Sequence, residues 1–348
     1  MNFYQILNKY IKKKKILLDN YAILVFKKQS IMNTNIDKST NTKNKLTSKS
    51  SKSSKKDPIK ICINNFWQNA FDGDFFQHLL NLACDNNYEV VEDGNNADVV
   101  ISSVFGNIRY PKDKTIFIIG ENIRPNFRIC KYSLSMDVDN YCGHNCHLPL
   151  WYCKIAWPGF KYKVEKTITS HNREGHGYIP LSSLTAKRKL LNKRNKFCAL
   201  IAGNPEILRV NMFMFLNTYY KKVDGFGPLF GSIAQESKFE ILQDYKFCLC
   251  PENGIYPGYI TEKLIEAWFS GTIPIWSGHN FTGSGINEKA FVNYQNFNDM
   301  REFIIRIINL DQNEDDYKYI YEQPLLLKSP ELEPVVEFLK NSIIDIIK

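Results

Sequence analysis

Short apolar runs, each too brief for a helix, recur along the chain with polar or amphipathic stretches between them, and this rhythm leaves few folds open. Ile59–Ile63 (IKICI) reads as a buried strand and Phe75–Ala83 as an amphipathic helix. Glu89–Val91, Asp98–Ser102, Thr115–Ile119 (TIFII) and Tyr132–Met136 read as further short strands with loops or helices between them. Strands that are apolar on both sides need cover on both faces, which intervening helices supply, so the alternation predicts an α/β fold with a parallel sheet. Residues 158–194 interrupt the rhythm: they are polar and basic with Gly159, Gly175 and Gly177, and read as an inter-domain stretch ending in a helix. The pattern then restarts with strand Phe197–Ala202, helix Glu206–Tyr220, strand Lys246–Cys250, helix Ile260–Phe269, strand Thr272–Trp276 and helix Asn298–Ile308. An amphipathic helix over about Leu332–Ile347 closes the chain. Two α/β units in one chain place a binding cleft between them, at the carboxyl ends of the strands.

The expected organisation is a basic tail and linker at 1–57, an α/β domain at 58–157, the inter-domain segment 158–194, and a second α/β domain at 195–348 that includes the C-terminal helix. Residues 29–57 are Ser, Thr, Asn and Lys with few apolar groups, the composition of a flexible linker. Residues 1–57 hold 14 Lys against 3 Asp, a surplus of 11 that exceeds the whole-chain net charge of +9. The remainder is slightly acidic, so the folded body has no bulk attraction for polyanions and a nucleic-acid partner is disfavoured. No segment approaches the ~20 apolar residues of a membrane span. Ile16–Phe26 (ILLDNYAILVF) after Lys12–Lys15 loosely mimics a signal peptide, but it is broken by Asp19 and Asn20 and no small-residue cleavage site follows. The tail reads first as a basic helix or disordered extension. Its second reading is weak attachment of residues 1–28 to an anionic membrane surface. Nine cysteines at irregular spacing, three of them (Cys198, Cys248, Cys250) inside strand-like runs, suit a reducing compartment better than a disulfide framework. A cytoplasmic location, with or without peripheral membrane association, is expected.

The most informative run is Tyr245–Gly278, YKFCLCPENGIYPGYITEKLIEAWFSGTIPIWSG. A strand ends at Cys250, and a loop with Pro251, Gly254, Pro257 and Gly258 leads into a helix. At 100° per residue Ile260, Leu264, Ala267 and Trp268 share one apolar stripe, while Tyr259, Glu262, Lys263 and Glu266 fall on another face. A polar cluster at a helix start after a Gly-rich turn suits phosphate, because free N–H groups and the positive dipole end point there and Lys263 adds a full charge. A solvated Glu/Lys face capped by Thr261 is the competing reading of the same residues.

This run resembles the donor-binding signature of the α1,3/1,4-fucosyltransferase family, bacterial type, in four pieces: Tyr245-Lys246-Phe247, Glu252-Asn253, Tyr259-Ile260-Thr261-Glu262-Lys263 and Ile273-Pro274-Ile275. Gly120-Glu121-Asn122 with Pro125-Asn126-Phe127, Tyr132 and Leu148-Pro149-Leu150 is similar to the family's acceptor-side block. Lys196-Phe197, Asn204 and Arg209 are similar to the strand, loop and helix that open its donor domain. The likeness spans about residues 59–325 and excludes the tail. It implies two facing Rossmann-like domains (the GT-B type), the first for the acceptor and the second for GDP-fucose. It further implies inverting transfer of L-fucose to an acceptor-glycan hydroxyl, O3 of an N-acetylglucosamine or glucose unit, with no metal or other cofactor. By that likeness Glu121 is the base, Arg209 and Lys263 clamp the diphosphate, and Asn253, Tyr259 and Glu262 hold ribose, phosphate or fucose. Gly254 stands where members often carry a small hydroxyl residue and Gly258 where many carry Asp. Ile123-Arg124 falls in a variable stretch, and the C-terminal heptad repeats of some bacterial members are absent.

Two other constellations compete for attention. Asp72-Gly73-Asp74 and Asp137-Val138-Asp139 each fit an Asp-x-Asp metal pattern, yet the first reads as helix-start chemistry and the second as a turn. Cys142, His144, Cys146, His147 and Cys153 have the ligand types of a zinc site, but they crowd together without a second ligand pair and read as loop residues. Two alternatives to the fucosyltransferase reading stay open: a transferase of the same fold using another nucleotide sugar, and a catalytically silent glycan-binding module.

Overall fold

The computed structural model describes residues 57–66, 71, 75–107, 109–160, 178–190, 194–231 and 237–348. The expectations for the basic tail and for Asp72 and Asp74 lie outside these residues. The first α/β half holds β1 (Ile59–Asn64), α1 (Phe75–Ala83), β2 (Tyr88–Val90), β3 (Val99–Ser102), β4 (Thr115–Ile118), β5 (Tyr132–Ser135) and β6 (Asn145–His147). Its strands form one parallel sheet in the order β2-β1-β3-β4-β5-β6. Every residue of β3 and β4 is buried, which is why they read as unbroken apolar runs instead of alternating ones.

Two short strands, β7 (Ile155–Ala156) and β8 (Ile179–Pro180), pair in parallel, and α2 (Leu181–Thr185) follows. The expected helix leading up to residue 194 is absent over the described part of that stretch: beyond α2 the chain at 186–190 is irregular. Its anchor there is Arg188, whose guanidinium lies between the rings of Trp268 and Tyr321, 4.3 and 4.2 Å from their centroids. It also donates to the carbonyls of Tyr321 (2.9 Å) and Thr272 (3.0 Å).

The second half follows with β9 (Lys196–Ile201), α3 (Ile207–Tyr219), β10 (Val223–Phe226), α4 (Lys238–Leu242), β11 (Tyr245–Leu249) and α5 (Glu262–Phe269). It continues with β12 (Ile273–Trp276), β13 (Val292–Asn293), α6 (Met300–Gln312) and α7 (Glu314–Tyr321). Its parallel sheet runs β10-β9-β11-β12-β13. The order reverses between β9 and β11, and an open α/β sheet leaves a crevice outside its carboxyl edge at such a switch point. Sequence periodicity did not mark β6, β10 or α7. Strand β6 has three residues, β10 (VDGF) carries Asp and Gly at a sheet edge, and α7 opens on three acidic residues.

The last helix, α8 (Glu333–Ile347), buries Val335, Leu339, Ser342 and Ile343, one stripe at helical spacing. Chain order assigned it to the second domain. It packs instead on the first half, against α1 and the strands β3, β5 and β6. Polar contacts hold it there: Lys340 meets Asp85 at 2.9 Å, and Asp345 accepts from Tyr132 Oη at 2.7 Å and pairs with Lys131 at 2.6 Å. The reason is supply of apolar surface, since α6 and α7 already cover the second sheet with Phe303, Ile307, Leu310 and Ile320. One apolar cluster runs from Ile61 and Leu79 in the first half through Trp151 and Trp157 to Trp268 and Trp276 in the second.

Candidate active site

The loop from β11 to α5 folds around a carboxylate. Glu252, with a fully buried side chain, accepts from the Thr261 backbone N–H (2.9 Å), Thr261 Oγ1 (2.7 Å) and Trp276 Nε1 (3.3 Å). Its fourth donor is Lys263 Nζ at 3.3 Å. An uncompensated buried charge is costly, so four donors on one carboxylate make Glu252 the clamp that ties the loop's start to the helix's start. Thr261 caps α5, and Lys263 Nζ also reaches Thr261 Oγ1 at 3.0 Å. Glu262 Oε1 lies 3.8 Å from the same ammonium. Desolvation opposes charge on Lys263, yet Glu252 and Glu262 outweigh it and raise its pKa. Desolvation likewise opposes charge on Glu262, but Lys263, Lys238 and Lys154 hold its carboxyl well below the usual range.

Arg209, near the start of α3, is buried at 4% exposure. Its Nη1 donates to the Asn204 carbonyl (2.7 Å), and its Nη2 to the Pro251 carbonyl (3.1 Å) and to Asn253 Oδ1 (2.8 Å). Burial lowers its pKa against the opposing fields of Glu206 and Glu252. Arg209 therefore shapes the loop as well as charging the site. Arg209, Asn253, Glu262 and Lys263 all line a cavity of about 360 Å³ at the carboxyl ends of β9 and β11, the switch point of the second sheet. That size falls within the ~300–1,000 Å³ of small-molecule sites. Tyr259 is placed differently: it is almost wholly buried beside Tyr256, ring centroids 5.0 Å apart, and does not line this cavity. Burial, reinforced by the nearby Glu252 and Glu121 carboxylates, pushes its phenol far up.

Glu121 comes from the other half, in the loop after β4. It is half-buried, and its carboxylate takes no hydrogen bond from a described residue. Desolvation raises its pKa; Lys263 pulls it down and Glu262 pushes it up. Those two fields put Glu121 within electrostatic reach of the start of α5. The neighbouring Asn122 donates to the Asn253 carbonyl at 3.4 Å, holding the two loops together.

The same contact explains the glycines. A Cβ on Gly254 would stand 2.3 Å from the Asn122 amide nitrogen, and one on Gly258 would stand 2.2 Å from the Met136 carbonyl oxygen. Gly258 also has φ +91, a conformation that penalises any Cβ. Around them Arg124 lies 4.6 Å from the Tyr256 ring centroid, and His147 Nε2 is 3.4 Å from the Gly258 carbonyl. The first half thus presses on the loop between β11 and α5 where the side chains are missing.

Asp137, one of the candidate metal ligands, has other partners. It is buried, paired with Arg124, and accepts from Tyr141 Oη (2.7 Å) and the Asp139 backbone N–H (3.2 Å). Desolvation opposes its charge, but Tyr141 and Arg124 keep its pKa low. The Cys/His cluster is dispersed by β6, whose successive residues point to opposite faces. His144 stacks on Tyr132, His147 turns to Gly258, and Cys142 is exposed. Among the described residues no three His, Cys, Asp or Glu converge on a point that could hold a metal.

Of the six residues marked by the sequence, the structure gathers Arg209, Asn253, Glu262 and Lys263 around one cavity and leaves Glu121, which does not line it, within the fields of Lys263 and Glu262. Sequence reading placed Glu266 on the polar face of α5 but missed Glu252 as the organiser and Lys238 as a further lining residue. The signal for Glu252 was a glutamate directly after a buried strand, where a charge needs partners.

Residues 191–323 match the family described as glycosyltransferase family 10 (fucosyltransferase), C-terminal part, and residues 61–154 match the N-terminal domain of alpha-(1,3)-fucosyltransferase FucT. The chain is 28% identical over 291 residues to the alpha-(1,3)-fucosyltransferase FucT of Helicobacter pylori, covering 77% of this chain and 60% of that protein. It is 26% identical to a bovine 4-galactosyl-N-acetylglucosaminide 3-alpha-L-fucosyltransferase 9 (Bos taurus), over 46% of each. The chain thus spans roughly half to three-fifths of the length of these relatives. A crystal structure of an alpha1,3-fucosyltransferase with GDP-fucose superposes with a TM-score of 0.61 at 22% identity, covering 85% of this chain and 94% of that one. The expected GT-B type of α/β fold, with two parallel sheets, is the one observed.

Proposed function

Since the chain belongs to the fucosyltransferases of glycosyltransferase family 10, we propose that it moves L-fucose from GDP-fucose to a hydroxyl of an acceptor glycan. The acceptor position in this reading is O3 of an N-acetylglucosamine or glucose unit, and transfer inverts the anomeric carbon. The observation that carries it is a half-buried carboxylate, Glu121, without a hydrogen-bond partner among the described residues and within the fields of Lys263 and Glu262, both of which line the cavity. A base that must accept a proton needs unoccupied lone pairs and a raised pKa, and Glu121 has both.

The diphosphate belongs at the start of α5, where the capped helix end, Lys263 and Arg209 concentrate positive charge. Glu121 takes the proton of the acceptor hydroxyl as its oxygen attacks the anomeric carbon. The bond from that carbon to the diphosphate oxygen breaks, and GDP leaves with the electron pair. The charge that grows on the leaving group falls beside the Lys263 ammonium. In this reading the two cations meet that charge without a divalent metal. Among the described residues Asp137, which the sequence offered as a ligand, is occupied by Arg124 and Tyr141.

GDP release on mixing the protein with GDP-fucose and a panel of oligosaccharides tests the proposal. Release that requires both an N-acetylglucosamine- or glucose-containing acceptor and GDP-fucose supports it. Release with another nucleotide sugar alone would replace the donor, and glycan binding without turnover would reduce the protein to a binding module.

A further inference from the structure

The cavity holds one feature that the diphosphate and fucose leave unused. Glu266, one turn beyond Glu262 on α5, is only 2% exposed. Its Oε2 accepts from Lys238 Nζ at 2.6 Å, while its Oε1 is buried with no hydrogen-bond partner among the described residues. Both Glu266 and Lys238 line the cavity. A buried carboxylate oxygen without a donor costs free energy, and proteins keep such atoms where a ligand supplies the missing donor. The cavity's lining also includes the apolar Ile201, Ala202, Leu242 and Ala267. An apolar slot with a carboxylate at its side suits a flat heteroaromatic ring better than a sugar, whose hydroxyls need partners all round.

We infer that Glu266 reads the nucleobase of the donor, its Oε1 accepting from the N–H edge of guanine. This rests on the GDP-fucose reading and adds to it the residue that selects the base. Guanine presents two adjacent donors, the ring N1–H and the exocyclic amine, to a facing carboxylate. Adenine presents one amine beside a bare ring nitrogen, whose lone pair a carboxylate repels. Placement along α5 agrees: Lys263 at the helix start faces the diphosphate, and Glu266 stands three residues, ~4.5 Å of helix rise, farther along.

Calorimetric titration of the full chain with GDP and with ADP tests this in the wild-type protein and in Glu266→Gln. Glutamine keeps the volume, and with its carbonyl held by Lys238 it turns an N–H₂ toward the base where Oε1 stood. The wild type should prefer GDP to ADP. Glu266→Gln should weaken GDP roughly tenfold to a hundredfold, the range of a hydrogen bond to a charged group, and leave ADP no weaker or strengthen it, since the new N–H₂ can donate to adenine's ring nitrogen, so the GDP/ADP ratio collapses. That ratio is measured within one protein, so partial unfolding cannot mimic its loss. Should Glu266→Gln not fold, Glu266→Asp, which withdraws the carboxylate by one methylene, carries the same comparison. A wild-type ratio retained in the variant overturns the inference. An equal loss for both nucleotides also overturns it and assigns Glu266 to the ribose they share. Wild-type protein that binds no GDP overturns the donor reading itself, and this inference with it.

Discussion

Glu252→Gln isolates the clamp on which the site is built. The carboxylate receives four donors: the backbone and hydroxyl of Thr261, the indole of Trp276 and the ammonium of Lys263. A glutamine carbonyl can accept two of these, and its amide N–H₂ then confronts the others. Two buried donors without acceptors cost about 1–3 kcal/mol each. The Lys263 side chain is 22% exposed, so water recovers part of the lost ion pair, and it adds little to the sum. The expected loss is about 2–6 kcal/mol, which for a body of this size lowers the melting midpoint by roughly 5–15 °C. Thermal unfolding followed by circular dichroism, with and without GDP, measures it. GDP should still raise the midpoint of the variant, because the cavity's other residues are intact. A variant that melts with the wild type but no longer binds GDP would refute the reasoning, since it would make Glu252 a ligand-contacting group and not a scaffold.

Three further substitutions have distinct signatures. Glu121→Gln should cut turnover by about 10²–10⁴ with GDP affinity unchanged; because its raised folded pKa makes the charged form unfavourable above that pKa, the variant should melt no lower than the wild type at neutral pH. The same raised pKa places the acid limb of wild-type turnover above the ordinary glutamate value, and that limb should vanish from the variant's pH–rate profile. Lys263→Ala should weaken GDP by about 1.5–3 kcal/mol, whereas Arg209→Ala should lose both GDP affinity and thermal stability, since Arg209 also holds Asn204, Pro251 and Asn253; calorimetry paired with melting separates the two. Gly258→Ala should destabilise by about 1–3 kcal/mol, because the position has φ +91 and an added Cβ would lie 2.2 Å from the Met136 carbonyl oxygen; a denaturation midpoint equal to that of the wild type would refute the proposed fit between the halves.

The glycines show how far a family signature carries. By the family likeness Gly254 and Gly258 stand where many members carry side chains, and sequence alone presents them as modest departures. In the folded chain they are fitted positions, because Asn122 and the Met136 carbonyl occupy the space a Cβ would need. The gain is close approach: Asn122 reaches the Asn253 carbonyl, and Arg124 lies over Tyr256.

Local pattern determined much of this protein. Strands β1, β3, β4, β5, β9, β11 and β12 and helices α1, α3, α5 and α6 were legible because apolar spacing reports which faces are buried, and that spacing lies within a few consecutive residues. Four of the six marked site residues fall together at one cavity for the same reason, since helix starts and strand ends can be read from their own residues. Position in space was not legible. The stripe of Val335, Leu339 and Ile343 states that α8 needs an apolar surface but not which sheet has one bare, and only the folded chain assigns it to the first. Glu252 and Glu266 look alike in sequence, two glutamates near a helix. Tertiary structure gives one four donors and leaves an oxygen of the other with none, because the worth of a buried charge depends on partners that lie far along the chain.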